Sequence, residues 1–193
     1  MQREVNLPSE TAGILQLVRN TASAALSGVE ASAGWQVSDD LRLMADVALL
    51  DARYREVLFD LNGDGLVDGA DRNLDLPRAP ELTWGLSAEY LLPGSLPLSP
   101  RIRASYGYRD RVAYTDNNLG FILEQELLDL DLTLRSDDRR WTFSAYGRNL
   151  LDAVKHGGDS QLPAVFFGQP LGGTFAPLAR GRLLGLELAY SFD

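Results

Sequence analysis

Seven stretches of the chain place apolar residues at every second position and polar ones between them. Leu82, Trp84, Leu86, Ala88 and Tyr90 interleave with Glu81, Thr83, Gly85, Ser87 and Glu89, and Leu128, Leu130, Leu132 and Leu134 interleave with Asp129, Asp131, Thr133 and Arg135. A period of two is that of a β-strand, whose successive side chains leave on opposite faces. The same period runs through 28–37 (Val29, Ala31, Ala33, Trp35, Val37), 41–49 (Leu41, Leu43, Ala45, Val47, Leu49), 101–109 (Ile102, Ala104, Tyr106, Tyr108), 141–148 (Trp141, Phe143, Ala145) and 184–192 (Leu184, Leu186, Leu188, Tyr190, Phe192). The second face carries full charges, among them Glu30, Arg42, Asp46, Arg101, Arg103, Arg109, Arg148 and Glu187. Strands of this kind want oil on one side and water on the other. The pattern predicts an all-β, antiparallel transmembrane barrel wall of about seven strands; a packed sandwich would need a second layer to cover the apolar face.

The connections alternate in length. Short polar turns fall at Ser38-Asp39-Asp40, Pro93-Gly94-Ser95 and Ser136-Asp137-Asp138, and long ones at about 58–80, 115–126 and 153–178. Outer-membrane barrels have this asymmetry, with tight periplasmic turns and long outer loops. Aromatic residues fall in two groups on the apolar face. Trp35, Tyr90, Trp141, Tyr190 and Phe192 lie next to short turns or the C-terminus, and Trp84, Tyr106 and Tyr108 towards the long loops. Two such belts are expected at the two lipid interfaces.

Composition narrows the alternatives. The chain has 193 residues, 45 % of them hydrophobic, and a net charge of −9. No run approaches the roughly 20 apolar residues that a spanning helix needs, and the negative charge excludes nucleic acid as a partner. Cysteine is absent, so disulfides and thiolate metal sites are excluded. Residues 1–20 lack the basic start, apolar segment and small-residue cleavage site of a secretory signal. A barrel strand protein without a signal is not expected to reach an outer membrane alone, so either the chain stays inside the cell or it is the tail of something longer.

Five strings resemble, in order and spacing, the C-terminal part of the TonB-dependent outer-membrane receptor barrel: Ser27-Gly28-Val29-Glu30, Leu49-Leu50-Asp51-Ala52-Arg53-Tyr54, Pro77-Arg78-Ala79-Pro80, Tyr146-Gly147-Arg148-Asn149-Leu150-Leu151-Asp152, and Gly185-Leu186-Glu187-Leu188-Ala189-Tyr190-Ser191-Phe192. The resemblance implies a barrel of about 22 strands, filled by an N-terminal plug, that imports a siderophore, cobalamin or similar scarce solute with energy delivered by TonB. It implies that residues 1–193 are a single partial domain without the plug, not transport-competent alone, and that the chain before Gly28 is the remnant of an outer loop and the strand end leading into it. The implied partners are outer-membrane lipid, the remainder of the barrel and plug, and the assembly machinery, with TonB reached only through the missing N-terminal region. Phe192 matches the terminal aromatic that the assembly machinery reads, although Asp193 follows it.

One constellation carries chemistry of its own. Asp60, Asn62, Asp64, Leu66, Asp68 and Asp71 occupy positions 1, 3, 5, 7, 9 and 12 of a calcium-loop pattern, with Gly65 at the turn. A hard cation needs six to eight oxygens, which alternate side chains and one backbone carbonyl supply. The expected cofactor is therefore Ca²⁺ in an outer loop, against the plainer reading of a solvated Asx-Gly turn. His156, the one histidine, has no nucleophile elbow or phosphate loop beside it, so the chain is not expected to be an enzyme. Arg101, Arg103, Arg109 and Arg148 are expected to face Glu89, Asp129, Asp131 and Glu187 in cross-strand ion pairs, and the resemblance implies that such residues also hold the plug in the whole receptor; the outer loops around Tyr114, Phe166 and Phe167 either touch substrate or merely cap the barrel. The alternative reading is a small calcium-binding β-barrel or surface adhesion module.

Overall fold

The computed structural model describes residues 2–9, 13–93, 98–153, 160–161, 165–166, 169–170, 174–175, 178 and 180–192. The chain begins with a hairpin of β1 (Gln2–Ser9) and β2 (Gly13–Asn20), followed by β3 (Ala22–Gln36), β4 (Leu41–Val57), a one-turn helix α1 (Gly69–Arg72), β5 (Leu82–Leu91) and β6 (Leu98–Arg109). After a two-residue pair, β7 (Val112–Ala113) and β8 (Phe121–Ile122), come β9 (Gln125–Ser136) and β10 (Trp141–Arg148). Short pieces β11 (Ser160–Gln161), β12 (Val165–Phe166), β13 (Gln169–Pro170) and β14 (Thr174–Phe175) precede β15 (Leu183–Tyr190).

Seven strands make one antiparallel meander in the order β3-β4-β5-β6-β9-β10-β15, and β3 and β15 are its two edges. The register keeps the two faces separate across all seven. One row of facing residues runs Trp35, Leu43, Ala88, Ala104, Leu130, Gly147 and Leu184. A row on the other face runs Gln36, Arg42, Glu89, Arg103, Asp131, Tyr146 and Gly185. A slip of one residue at any pair would mix these faces, so the alternation itself fixes the register. On the polar face Arg42, Glu89, Arg103 and Asp131 alternate in sign, a pairing that contributes about 0.2–1 kcal/mol per facing pair. Gly185 leaves open the place that the Tyr146 ring takes.

Among the described residues no layer covers the apolar face. Leu184, Leu186 and Leu188 are 69, 76 and 66 % exposed, and Trp35 is 65 % exposed. The buried hydrophobic residues lie elsewhere, at the outer end. Ala22, Tyr54, Val57 and Leu61 form one cluster, with Phe59, Leu74 and Leu76 packed against it. Among the described residues no helix is long and apolar enough to cross a membrane.

Three expectations change. A strand end before Gly28 is present, since β3 starts at Ala22, but the expected loop remnant before it is itself regular: β1 and β2 form a ladder of their own from Gln2↔Asn20 to Ser9↔Gly13. The long connections also carry structure, α1 in the first and β7/β8 in the second. Strands β3 and β4, at 15 and 17 residues, exceed the 9–11 or so needed to cross a bilayer, because their outer halves continue the ladder past a bulge at Ser23/Ala24. The short turn at Gly94 and Ser95 lies outside the described residues.

The two faces respond differently to charge. Leu86→Arg, in the middle of the apolar face, is expected to cost about 2–4 kcal/mol in a bilayer and to abolish membrane-resident protein, whereas Ser87→Arg on the polar face retains it. Outer-membrane yield of the two variants, measured side by side in a complete barrel, checks this.

Candidate functional site

Two regions gather polar and aromatic residues: the loops at the outer end and the charged face of the wall. The outer end is built on β4, which runs past the bulge to Val57 and hands over to the 58–81 connection through Leu58 N–H, donated to Thr21 O at 2.7 Å. Gly63 and Gly65 have φ of 81° and 91°, which glycine adopts without a Cβ clash and which bend the acidic loop back on itself.

The carboxylates of that loop are turned onto its own backbone. Asp60 accepts from Gly63 N–H at 2.6 Å and Gly65 N–H at 2.7 Å, one on each oxygen. Asn62 Oδ1 accepts from Asp64 N–H, and Asp64 accepts from Leu66 N–H at 2.8 Å and from Asn62 Nδ2 at 3.0 Å. Asp68 caps α1, accepting from Ala70 N–H, and Asp71 closes the capping box. Asp71 is fully buried and accepts three backbone amides, Leu61 and Asn62 on Oδ1 and Asp68 on Oδ2. The side chain of Leu66 is exposed. Among the described residues no three carboxylates or imidazoles are gathered closely enough to hold a metal ion.

The first and second outer loops are tied together. Arg78 N–H donates to Ala113 O at 2.8 Å, Asp75 N–H to Asn118 Oδ1 at 2.7 Å, and Asn118 Nδ2 back to Asp75 O at 2.9 Å. This amide clasp joins residues 43 apart in sequence. Val112, Ala113, Tyr114 and Thr115 are buried beneath it, and Arg111 lies 4.3 Å from the Phe121 ring centroid.

The string from Tyr146 to Asp152 turns out to be a strand-end staple. Asn149, with φ of 50° and 2 % exposure, exchanges two hydrogen bonds with the Ala153 backbone, and its own N–H reaches Asp129 Oδ1 at 2.8 Å. Asp152 then accepts Arg182 N–H, pinning the approach to β15. Arg148 grips Asp131 with both Nη atoms, at 2.9 and 2.5 Å, and lies 4.0 Å from Asp129. Sequence reasoning named Arg148 as a pairing residue, carried Asn149 and Asp152 only as members of a resemblance string, and missed Asn118; the signal for all three was an Asn or Asp at a strand end or in a polar turn.

The expected ion pairs are met in part. Arg148 pairs with Asp131 and Asp129, and Arg101 lies 3.8 Å from Glu89. Arg103 stands opposite Glu89 and Asp131 in register, and Glu187 stands opposite Ser144. Both aromatic belts form. Trp141 and Tyr190 are 4.6 Å apart, with Phe192 edge-on to Tyr190 at 4.7 Å, and Trp84 lies 5.1 Å from Tyr106 and 6.0 Å from Tyr108. Along β5 the belts are six residues apart, about 20 Å at ~3.3 Å per residue, close to the ~25 Å apolar band of such barrels. His156, Phe167 and Asp193 lie outside the described residues, as does the side chain of Phe166.

Burial raises the Asp71 carboxyl, but the Asp68, Asn62 and Leu61 amides outweigh it and hold the group below its ordinary value of 3.8. Its contribution to the loop is therefore complete at neutral pH and lost only as the pH falls below that ordinary value and through the depressed one. Asp71→Ala is expected to leave the buried Leu61 amide without an acceptor, at about 1–3 kcal/mol, and to open the 58–81 loop. Hydrogen exchange of the Leu61 amide, faster by at least tenfold in the variant at pH 7, checks it.

No family model and no curated protein matches the sequence. Solved structures do. The ferric yersiniabactin uptake receptor FyuA from Yersinia pestis superposes with a TM-score of 0.75 at 15 % identity, over 92 % of this chain and 25 % of its own. The siderophore receptor PiuA from Acinetobacter baumannii gives 0.67 at 16 %, over 90 % of this chain and 22 % of its own. BauA, the ferric preacinetobactin receptor from Acinetobacter baumannii, gives 0.64 at 16 %, over 99 % of this chain and 26 % of its own. The chain thus spans about a quarter of the receptors it matches, and it has the fold of their barrel wall.

Proposed function

We propose that the chain forms about a third of the wall of an outer-membrane receptor barrel that takes up a siderophore, cobalamin or a similar scarce solute with energy from TonB. The plug and the remaining strands belong to polypeptide beyond these residues, and this segment does not transport on its own. The observation that carries the reading is the open seven-stranded sheet, apolar on one face and charged on the other, whose edges at β3 and β15 are unpaired among the described residues. In hydrocarbon every unpaired backbone N–H or C=O costs several kcal/mol, so such a wall belongs in a closed ring. The fold shared with three uptake receptors supports the transport reading. Phe192, 90 % exposed just past β15, is the residue offered to the assembly machinery.

The second reading, an autonomous calcium-binding surface module, rests on the sequence pattern of the 60–71 loop. Calorimetric binding of Ca²⁺ that Asp64→Ala abolishes would support the calcium part of it; loop carboxylates that only hold backbone give no heat in either protein.

Expression behind a signal peptide separates the two. The chain alone is expected to stay protease-sensitive and to run at one position on a gel whether or not it is heated. Joined in frame to strands that complete a barrel, it should enter the outer membrane as a heat-modifiable, protease-resistant species. A heat-shifted, resistant band from the chain alone would overturn the proposal.

A further inference from the structure

Arg109 ends β6 on the charged face and, among the described residues, makes none of the ion pairs expected of it. Its Nε and Nη2 atoms are buried and have no hydrogen-bond partner. These two atoms form the side-on edge of the guanidinium, two parallel N–H donors spaced to match the two oxygens of a carboxylate. A buried cationic edge with no acceptor is costly, so an acceptor from outside the described residues is called for.

The register says what surrounds it. Thr83 stands opposite Arg109 on β5 and Gln125 on β9, so three polar side chains share one row of the charged face. In the next row Gly107 faces Gly85, and a Cβ added at Gly107 would meet nothing within 4 Å. Gly107 leaves open space two residues from Arg109 on its own strand, while Leu127 faces Gly107 on β9. None of the nearby carboxylates accepts from the buried edge. Asp110 accepts Arg111 N–H at 2.9 Å, and the Asp46 carboxylate lies over Gly85. A second buried donor without an acceptor, the Tyr114 hydroxyl, belongs to the outer loop that begins just after Arg109.

We propose that the Nε/Nη2 edge of Arg109, flanked by Thr83 and Gln125, is an oxyanion seat that takes a carboxylate group in two-pronged fashion. Either of two sources presents that group: a soluble anion in the lumen, or an acidic side chain of polypeptide filling it. The assignment of sources rests on the barrel reading; the seat itself does not.

The test is nitrogen-15 NMR of the chain joined in frame to strands that complete a barrel with an empty lumen, in detergent micelles and titrated with acetate. The Arg109 Nε–H resonance should shift saturably together with the Thr83 and Gln125 amides. In Arg109→Lys, which keeps the charge and loses the fork, the same two amides should respond at least about tenfold more weakly. In a heat-modifiable, folded preparation, an unmoved Arg109 resonance or an equal response in the lysine variant overturns the seat and leaves the barrel reading standing. A second arm adds the polypeptide that fills the lumen. Protection of Nε–H before any anion is added assigns the carboxylate to polypeptide, and an exposed Nε–H that acetate titrates assigns it to a soluble ligand. An Nε–H neither protected nor titratable there overturns the proposal.

Discussion

The structure depends on one constraint: a backbone that sits in hydrocarbon has to satisfy its own donors and acceptors. Water is absent there, so each strand must be laddered on both sides. The seven-stranded meander does this for its five inner strands, while β3 and β15 each have one side open. The same constraint explains why the chain has so little interior. Its apolar side chains face outward, and the few buried hydrophobic residues gather at the outer end, where water returns and an ordinary small core becomes useful.

Wall and cap are therefore stabilised by different chemistry. In the wall the side chains mainly sort themselves between two solvents, and rows such as Arg42, Glu89, Arg103 and Asp131 keep the watery face in register. In the cap, short polar side chains replace the ladder. Asp71 gathers three amides, Asn118 clasps one loop to another, and Asn149 with Asp152 folds the chain back towards β15. The resemblance strings draw on both sorts of structure: the string ending at Asp152 is a staple that shapes the wall's rim, with no reacting group of its own.

The faces of the wall were legible in the sequence because period two admits one assignment: Leu82 through Tyr90 could be sorted without any knowledge of partners. Strand ends were less so. From Ala22 to Leu26 the alternation lapses while hydrogen bonding to β4 continues, since outside the bilayer neither face has to be apolar. The loop at 60–71 was legible as a loop from its glycines, but the partners of its carboxylates depend on Leu61 and α1, which no pattern announces. The Asn118 clasp and the unpaired edge of Arg109 are tertiary facts. A sequence shows an arginine on the charged face and cannot show that two of its donor atoms are buried without an acceptor.

The most direct test of the two-solvent wall is a spin-label scan along β5, from Leu82 to Leu91, in the membrane-embedded protein. Collision rates with oxygen, which concentrates in lipid, should peak at Leu82, Trp84, Leu86, Ala88 and Tyr90. Rates with a water-soluble nickel complex should peak at Thr83, Gly85, Ser87 and Glu89. Uniform accessibility, or a period nearer 3.6, would contradict a wall with oil on one face and water on the other.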